Sequence, residues 1–357
     1  MKRNLTCSIT KLVFCFMMAI FCSCGGGGGG GGSSSNDDSL AAPSFTIAGY
    51  YTDGLQGIPC YWADAERTDL PANNSIEAFA FSTALFGGTI YNSGMYSDGT
   101  KTIACYWTGT ERTDLAGDGV HDAVAYAIAV SDGTVYTAGN YEDGTAKIPC
   151  YWVGTTRTDL GGGMHGVAFS IAVSDGTIYT AGYYYDGTKE IPCYWTNTDR
   201  IDLPGGTDNA RAHSIVISGG TAYVGGFYKD GSRETACYWA GGIRTDLAGE
   251  GPLGGGNAGV YAIAVSDGTV YTAGYYNDGT KDVPCYWTNA ARTDLTGDGA
   301  HNARVRSITV SGGTIYTAGY YNDGTKDIAC YWAGTSRTDL AADDMIGSHA
   351  VSISFRQ

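Results

Sequence analysis

The chain contains few charged residues and few prolines. Of its 357 residues only 16% are charged and 8 are prolines, whereas glycine occurs 55 times and tyrosine 27 times. This composition is typical neither of a helical protein nor of a disordered one. Abundant glycine together with aromatic residues favours short strands joined by tight turns.

Basic residues are also scarce. Lysine and arginine number 21 against 36 acidic residues, for a net charge of −15. Nucleic-acid binding requires clustered lysine and arginine, so this balance argues against a nucleic-acid partner. The acidity can serve solubility alone, or it can attract cations and basic partners.

The apolar stretch at the start of the chain is short. The segment MKRNLTCSITKLVFCFMMAIFCSC begins with basic residues and has its apolar part from Leu12 to Phe21. A membrane-spanning helix needs about 20 apolar residues, so this stretch is too short to span a bilayer. The arrangement predicts an export signal instead.

The end of this segment resembles the signal of bacterial lipoproteins. Ser23 is the small residue that precedes the lipidated cysteine, and Phe21 replaces the leucine that is usual three positions before it. The resemblance implies a signal peptide over 1–23, a lipid anchor on Cys24 and a Gly/Ser-rich tether over 24–43. An ordinary secretory signal, with Cys24 incidental, is the alternative.

Common catalytic and metal-binding signatures are missing. There is no Gly-x-Ser-x-Gly, no His-Glu-x-x-His, no phosphate loop and no Cys-x-x-Cys. Turns such as YNDGTKD at 321–327 loosely resemble calcium loops, but Asp-Gly is also what a tight turn needs. We predict no catalytic residue, no metal and no cofactor, with calcium at these turns left open.

One motif is repeated along the whole chain. Cys-Tyr-Trp begins at residues 60, 105, 150, 193, 237, 285 and 330, and Arg-x-Asp-Leu follows each copy. The unit 124–160 divides into four strands, AYAIAVS, TVYTAGNY, KIPCYWV and RTDL, with glycine-containing turns between them. A four-stranded repeat of about 45 residues predicts a β-propeller blade.

The chain ends predict a closed ring. The first copy begins at PSFTIAGYY, which is already a second strand, and the last segment, SHAVSISFRQ, is a first strand without its blade. Pairing these ends predicts an all-β, seven-bladed propeller over 44–357 and leaves no exposed sheet edge. An open solenoid is the alternative.

The repeated cysteine and tryptophan are predicted to be structural. They stand two apart in a strand, so they share one face and can pack between blades. Equivalent positions on packed sheets lie about 10 Å apart, too far for a disulfide. The residues are Cys60, Trp62, Cys105, Trp107, Cys150, Trp152, Cys193, Trp195, Cys237, Trp239, Cys285, Trp287, Cys330 and Trp332. Arginine and aspartate of Arg-x-Asp-Leu also share a face, which predicts a repeated ion pair.

The cadence Trp-x-x-Gly-x-x-Thr-Asp-Leu resembles the extracellular repeats called HAF repeats. The resemblance covers residues 44–356 copy by copy, although Cys-Tyr before the tryptophan replaces the usual apolar pair. It implies a secreted or surface propeller and supplies no catalytic residues.

Positions that differ between copies are the candidates for a binding site. Three histidines, His121, His165 and His301, are predicted in the connections between blades. Aligned on the end of the first strand, one column varies in chemistry: Phe81, Tyr126, Phe169, His213, Tyr261, Arg306 and His349. The innermost strand should place this column at the mouth of the central channel, where it suits a small ligand or a glycan. The alternative is that these side chains simply plug the channel, and the long connection 248–259 is predicted to be a rim loop without chemistry.

These observations predict a monomeric, lipid-anchored binding module of the bacterial envelope, at the outer membrane or cell surface, with a protein or carbohydrate ligand. A glycan hydrolase or lyase in the channel mouth is the alternative, and it would need paired carboxylates or a His/Tyr base. A purely structural envelope lipoprotein is the third possibility.

Overall fold

The computed structural model describes residues 44–72, 75, 77–161, 164–247, 256–340 and 346–356. The predicted signal peptide, Cys24 and the tether lie outside the described residues, as does most of the connection 248–259. All regular structure in the described part is β-strand. That part contains no helix long and apolar enough to cross a membrane.

The strands form seven antiparallel sheets of four strands each, which are the blades of a propeller. We name the strands a to d from the axis outward. Blade 1 consists of β28 (Gly347–Phe355), β1 (Phe45–Thr52), β2 (Gly57–Ala63) and β3 (Glu66–Asp69). Blade 2 consists of β4 (Ala78–Phe86), β5 (Thr89–Ser97), β6 (Thr102–Thr108) and β7 (Glu111–Asp114). Blade 3 consists of β8 (Ala123–Ser131), β9 (Thr134–Glu142), β10 (Lys147–Val153) and β11 (Thr156–Asp159).

The remaining blades repeat this order. Blade 4 consists of β12 (His165–Ser174), β13 (Thr177–Tyr185), β14 (Glu190–Thr196) and β15 (Asp199–Asp202). Blade 5 consists of β16 (Ala210–Ser218), β17 (Thr221–Asp230), β18 (Arg233–Ala240) and β19 (Ile243–Asp246). Blade 6 consists of β20 (Ala258–Ser266), β21 (Thr269–Asn277), β22 (Asp282–Thr288) and β23 (Ala291–Asp294). Blade 7 consists of β24 (Ala303–Ser311), β25 (Thr314–Asn322), β26 (Asp327–Ala333) and β27 (Ser336–Asp339).

The ring closes through the two ends of the chain, as predicted. Strand β1 pairs antiparallel with β28, from Phe45 opposite Phe355 to Thr52 opposite Gly347. Each strand a also contacts strand a of the next blade, and β28 completes this circle between β24 and β4. The seven-bladed, closed β-propeller is therefore confirmed, and the open solenoid is excluded.

Strand boundaries differ slightly from the prediction. In blade 3, strand a begins at Ala123, two residues earlier than expected, and strand d is Thr156–Asp159, with Leu160 following it. His165, predicted in a connection, is instead the first residue of β12 and stacks on Tyr185 at 4.8 Å between ring centroids. The Asp-Gly turn between strands a and b has positive φ at both residues, 49° at Asp132 and 73° at Gly133, as a type I′ hairpin requires.

The repeated cysteine and tryptophan lie in the core between blades. All seven cysteines and all seven tryptophans have 0% of their surface exposed, and these cysteines are free thiols. The indole N–H of Trp152 donates to the carbonyl of Ala116 at 2.9 Å, on the connection that leads into its blade. Burying one such aromatic side chain stabilises the fold by roughly 4–6 kcal/mol.

A tyrosine, an aspartate and an arginine meet on the outer part of every blade. In blade 3, Arg157 pairs with Asp159 at 2.8 Å, Tyr141 donates its hydroxyl to the same carboxylate at 3.1 Å, and the guanidinium lies 3.7 Å from the Tyr141 ring centre. All seven Arg-x-Asp pairs form this ion pair. The short strand d is thereby attached to strand b as well as to strand c.

Candidate ligand-binding site

Each strand a carries a β-bulge near its middle. The bulged residues of blades 2 to 7 are the six that the sequence column named, from Phe81 to Arg306, because the pairing register skips each of them. In blade 1 the skipped residue is Val351, since Ala350 pairs with Gly49 and Ser352 with Ala48. A bulge adds one unpaired residue and re-aims its side chain.

The bulged side chains form a packed arc near the axis. Phe81 lies 5.7 Å from Tyr126, Tyr126 5.8 Å from Phe169, and Phe169 5.4 Å from His213, as ring centroid distances. The arc continues to Tyr261, 5.4 Å from His213, and all these residues have at most 5% of their surface exposed. The sequence therefore located a true cluster, although its members fill space between the inner strands rather than project into solvent.

Arg306 continues this arc as a buried cation. Its guanidinium lies 4.4 Å from the Tyr261 ring centre and 5.5 Å from that of Tyr320. Burial acts to lower the pKa of Arg306, but the neighbouring Tyr261 and Tyr320 leave that pKa raised overall.

His349 belongs to a different column from the one predicted. It pairs with Tyr50, so its equivalents are the residues two positions before each bulge. The predicted placement of His349 was wrong by two residues, because no glycine turn follows β28 to mark its end, and Val351 is the residue at its bulge. The corrected column is Phe79, Val124, Val167, Arg211, Gly259, Arg304 and His349.

A second column faces this one from strand c of the preceding blade, at the residue three positions before the repeated cysteine. Its members are Gly57, Thr102, Lys147, Glu190, Glu234, Asp282 and Asp327. Four consecutive blades, 4 to 7, thus present a carboxylate at this rim. We use the term cradle for a space with three sides. These sides are the residue of this column on strand c, the aromatic residue of strand b beside it, and strand a of the next blade.

Three of the acidic cradles are filled by a basic residue of the chain. Arg211 binds Glu190 through two hydrogen bonds, Nε to Oε2 at 2.5 Å and Nη2 to Oε1 at 2.6 Å. His349 contacts Asp327 at 3.2 Å between Nε2 and Oδ2. Arg304 donates its Nε to Asp282 at 2.7 Å.

An aromatic ring completes each filled cradle. The guanidinium of Arg211 lies 4.8 Å from the Tyr183 ring centre, and that of Arg304 lies 4.3 Å from the Tyr275 ring centre. The imidazole of His349 lies 4.2 Å from the Tyr320 ring centre. Acid and aromatic ring come from one blade and the base from the next, so these contacts also hold the blades together.

On the opposite half of the rim, in blades 2 to 4, the column on strand a is apolar. There Tyr50 packs on Phe79 at 4.7 Å between ring centroids. Phe79 also belongs, with Met95, Val167 and Tyr183, to one buried hydrophobic cluster. Within the column on strand a, basic residues therefore occur only in blades 5, 7 and 1.

The acids are held in place from the next blade. The backbone N–H groups of Glu190, Glu234 and Asp282 donate to the side-chain oxygens of an asparagine at 2.9, 3.0 and 2.8 Å. The acceptors are Asn209, Asn257 and Asn302. The carboxylates are thus preorganised at the rim rather than carried by mobile turns.

The fourth acidic cradle has no basic residue on strand a of the next blade, and its acid, Glu234, pairs instead with Lys229 of its own blade. Gly259 stands where Arg211 and Arg304 stand in the neighbouring blades, and Phe227 and Glu234 form the other two sides. A cavity of about 380 Å³ opens at this place. It is lined by Glu190, Asn209, Arg211, His213, Phe227, Lys229, Glu234, Asn257, Gly259, Tyr261, Tyr275 and Arg304.

A second cavity of about 450 Å³ lies beside it on the same half of the rim. Arg304 lines both cavities, and Asp282 and Asp327 line the second. Of the seven predicted site residues, only His213 and Tyr261 line either cavity. The structure thus separates the predicted column into a packed arc and two residues at the floor of an open site.

His213 is buried, neutral and only half hydrogen-bonded. Its Nδ1–H donates to the carbonyl of Val260 at 3.0 Å, so its Nε2 is an acceptor, and this atom has no partner among the described residues. Burial lowers the pKa of His213 to about 3, against the hydrogen bond to Val260, which raises it. Burial also lowers the pKa of His349, against the raising effect of Asp327.

Two of the three remaining described histidines have a carboxylate partner on their own connection. His121 contacts Asp118 at 2.5 Å, and His301 contacts Asp298 at 2.5 Å in the equivalent connection. The Asp-Gly turns also use their carboxylates locally, because Asp323 Oδ1 accepts the N–H of Thr325 at 2.8 Å. Within the described ranges no group of three or more His, Cys, Asp or Glu side chains is arranged to hold a metal ion.

The acidic column also has a signal in the sequence. The residue before Ile-Pro-Cys or its variant is acidic in four successive copies and is Gly57, Thr102 or Lys147 in the others. Acidic residues are also common in turns, which masks this break in the repeat. The basic column also has a signal in the sequence, because Arg211 and Arg304 each stand two residues before the bulged position.

Comparison with known proteins agrees with the fold. No protein family matches the sequence, and no curated protein is significantly similar to it. The β-propeller domain of the Trilobed protease from Pyrococcus furiosus, described as having an open velcro topology, superposes with a TM-score of 0.51 at 8% identity, covering 85% of this chain and 94% of that one. The acylaminoacyl peptidase of Pyrococcus horikoshii gives a TM-score of 0.47 at 9% identity, over 84% of this chain and 50% of that one. The likeness shows the fold alone.

Proposed function

We propose that this protein is a lipid-anchored binding module of the bacterial envelope, and that the charged half of its rim binds a protein or glycan ligand. The observation that carries the proposal is the concentration of four carboxylates and their basic partners around two adjoining cavities on one side of the channel. Concave sites with a few fixed polar groups on a rigid scaffold suit ligand binding.

Binding to glycan and peptide arrays tests the rim. The double variant Asp282→Asn/Arg304→Gln removes one ion pair without leaving either charge unpaired, and Arg304 lines both cavities. We expect it to lose any ligand that the mature wild type binds. The matched control is Lys147→Gln, at the same position of strand c on the opposite half of the rim. If the double variant binds as well as the wild type, the charged half of the rim is not the binding site.

The anchor and the location need a separate experiment. We expect labelled fatty acid to be incorporated into the wild type and not into Cys24→Ser, with Cys22→Ser as the control. A protease site engineered into the tether at 25–35 then reports on exposure. Cleavage on intact cells supports a surface location, whereas cleavage only after permeabilisation supports a periplasmic one.

Glycan hydrolysis or elimination is a second candidate that one observation favours. The cavity beside Gly259 brings together Glu190, Glu234 and His213, which are groups that acid–base chemistry uses. The experiment is a reducing-end assay on envelope polysaccharides. Turnover that is lost in Glu190→Gln and Glu234→Gln and kept in Lys147→Gln would support an enzyme, and its absence from the wild type would leave the binding function.

A further inference from the structure

The open cradle at the interface of blades 5 and 6 points to the chemistry of its ligand. We propose that it binds a guanidinium group, such as the side chain of an arginine, which occupies the place left by Gly259. This inference rests on the proposed function, because it assigns a ligand class to one cavity of the same rim.

The protein itself contains two examples of the proposed contact. In the cradle between blades 4 and 5, Arg211 lies over Tyr183 and forms a two-point pair with Glu190. In the cradle between blades 6 and 7, Arg304 lies over Tyr275 and pairs with Asp282. The open cradle lies between these two, and its acid and ring occupy the same positions in the blade.

The open cradle provides the same three elements. Glu234 supplies the carboxylate, Phe227 the aromatic face, and Gly259 the space that an arginine fills next door. A guanidinium is planar, so it can meet a carboxylate at two points and lie on an aromatic face at once. The cavity of about 380 Å³ has room for such a group.

The polar groups that line the cavity favour a ligand that donates hydrogen bonds. Its own cations are engaged, since Arg211 pairs with Glu190, Lys229 with Glu234 at 2.9 Å, and Arg304 with Asp282. Independently of the acids, the Nε2 of His213 is a buried acceptor without a partner among the described residues. A buried acceptor is costly when it stays unsatisfied, so the ligand group that fits here donates hydrogen bonds.

Glu234 can accept further hydrogen bonds. Its Oε1 contacts Lys229, and its Oε2 accepts a hydrogen bond from the hydroxyl of Tyr275 at 3.1 Å. In the neighbouring cradles the corresponding carboxylate binds an arginine instead. A carboxylate has about four acceptor sites. The Tyr275 hydroxyl therefore replaces one of the hydrogen bonds that an arginine would donate to the carboxylate. A ligand can donate to Glu234 beside this hydroxyl or in its place. The net charge of −15 also draws cationic partners toward the molecule.

The test is calorimetric titration of the mature protein. Two probes carry the guanidinium, free arginine amide and a short arginine peptide, and the citrulline form of each replaces it with a neutral group of similar shape. We expect arginine probes to bind at least about tenfold more tightly than citrulline probes, and Glu234→Gln to lose about tenfold. Tighter binding of the peptide would identify a polypeptide partner, whereas equal binding would identify a free guanidino compound.

Variants at residue 259 test the geometry. Gly259→Arg should supply the missing side chain, raise the melting temperature and abolish binding of the arginine probes. Gly259→Ala should keep binding, because its Cβ would stand 3.2 Å from Tyr275 Cε1 and requires only a small ring movement. Lys147→Gln is the control for a charge change in the same strand position. If Gly259→Arg does not fold, the proposal is still tested by the comparison of arginine with citrulline and by the Glu234→Gln variant.

Three results would overturn the inference: no binding of either arginine probe at millimolar concentration, equal binding of citrulline, or unchanged binding by Glu234→Gln. If the arrays nevertheless identify a ligand whose binding is lost in Asp282→Asn/Arg304→Gln, the proposed function would still hold. If both the titration and the arrays show no binding, the guanidinium site and the binding function of the rim are both contradicted.

Discussion

At the scale of single residues, one backbone position accepts very different side chains. The bulged position holds phenylalanine in blades 2 and 4, histidine in blade 5 and arginine in blade 7. All are buried, so the polar ones depend on their neighbours for hydrogen bonds and charge. The site is thus built by substitutions within a repeat whose backbone stays nearly constant.

His213 should make stability depend on pH. Its folded pKa of about 3 lies below the ordinary value of 6.5, so the unfolded chain takes up the proton first as pH falls. Its contribution is complete above about pH 6.5 and is lost toward pH 3, with a slope of up to ~1.4 kcal/mol per pH unit. We expect His213→Phe, the residue that blades 2 and 4 carry, to unfold in urea with a shallower pH dependence between pH 6 and 4.

The control for this prediction is Val120→Ala, on an exposed connection of the rim, which changes no titrating group. It should keep the pH dependence of the wild type. Parallel curves for the wild type and His213→Phe would show that the buried imidazole does not control acid stability.

The seven core thiols should be unreactive in the native protein. Burial raises the pKa of each of them well above its ordinary value, so the reactive thiolate is scarce. We expect a thiol reagent to label none of these seven without denaturant and all of them in guanidinium chloride. Rapid labelling of any of them in native buffer, mapped by mass spectrometry, would contradict their burial.

At the scale of elements, the outermost strand of each blade is the weakest part. In blade 3, β11 has only four residues, and the chain after it is anchored by Leu160, which is 3% exposed and donates its N–H to Pro149 at 2.8 Å. The Arg157–Asp159 pair on β11 is closer to solvent. Apolar burial should therefore hold the strand more strongly than the ion pair.

Two substitutions separate these contributions. Leu160→Ala should lower the free energy of unfolding by about 2–5 kcal/mol, whereas Asp159→Ala should cost about 1 kcal/mol or less. The measurements are urea unfolding and amide hydrogen exchange of β11, which should speed up most in Leu160→Ala. A larger effect of Asp159→Ala would show that the Tyr–Asp–Arg cluster is the main attachment.

At the scale of the whole molecule, stability depends on closing the ring. Strand β28 covers the edge of β1 and also contacts β4 and β24 of the neighbouring blades. Without it, the apolar face around Ile47 and Ala48 would meet water at an unpaired edge. Closure therefore joins the first and last parts of the chain into one cooperative unit.

Deletion of residues 346–357 tests this dependence. We expect a lower melting temperature, binding of a hydrophobic dye and association between molecules. A synthetic peptide of the deleted residues should restore the melting temperature, whereas a scrambled peptide should not. A truncated protein that remains monomeric and as stable as the wild type would mean that the other six blades hold the ring by themselves.

The architecture of this protein can be predicted from its sequence alone. The spacing of Cys-Tyr-Trp, the Asp-Gly turns and the incomplete first and last copies predicted seven blades, their strand order and the β1–β28 closure, because periodicity and turn chemistry are local properties of a chain. Only the tertiary structure decided the site. Glu190 and Arg211 belong to different copies of the repeat, and the pair forms only because neighbouring blades pack face to face. The pairing of His349 with Tyr50 assigns it to the column of Arg211 and Arg304, and the open cradle at Gly259 is recognised only by comparison with the filled ones.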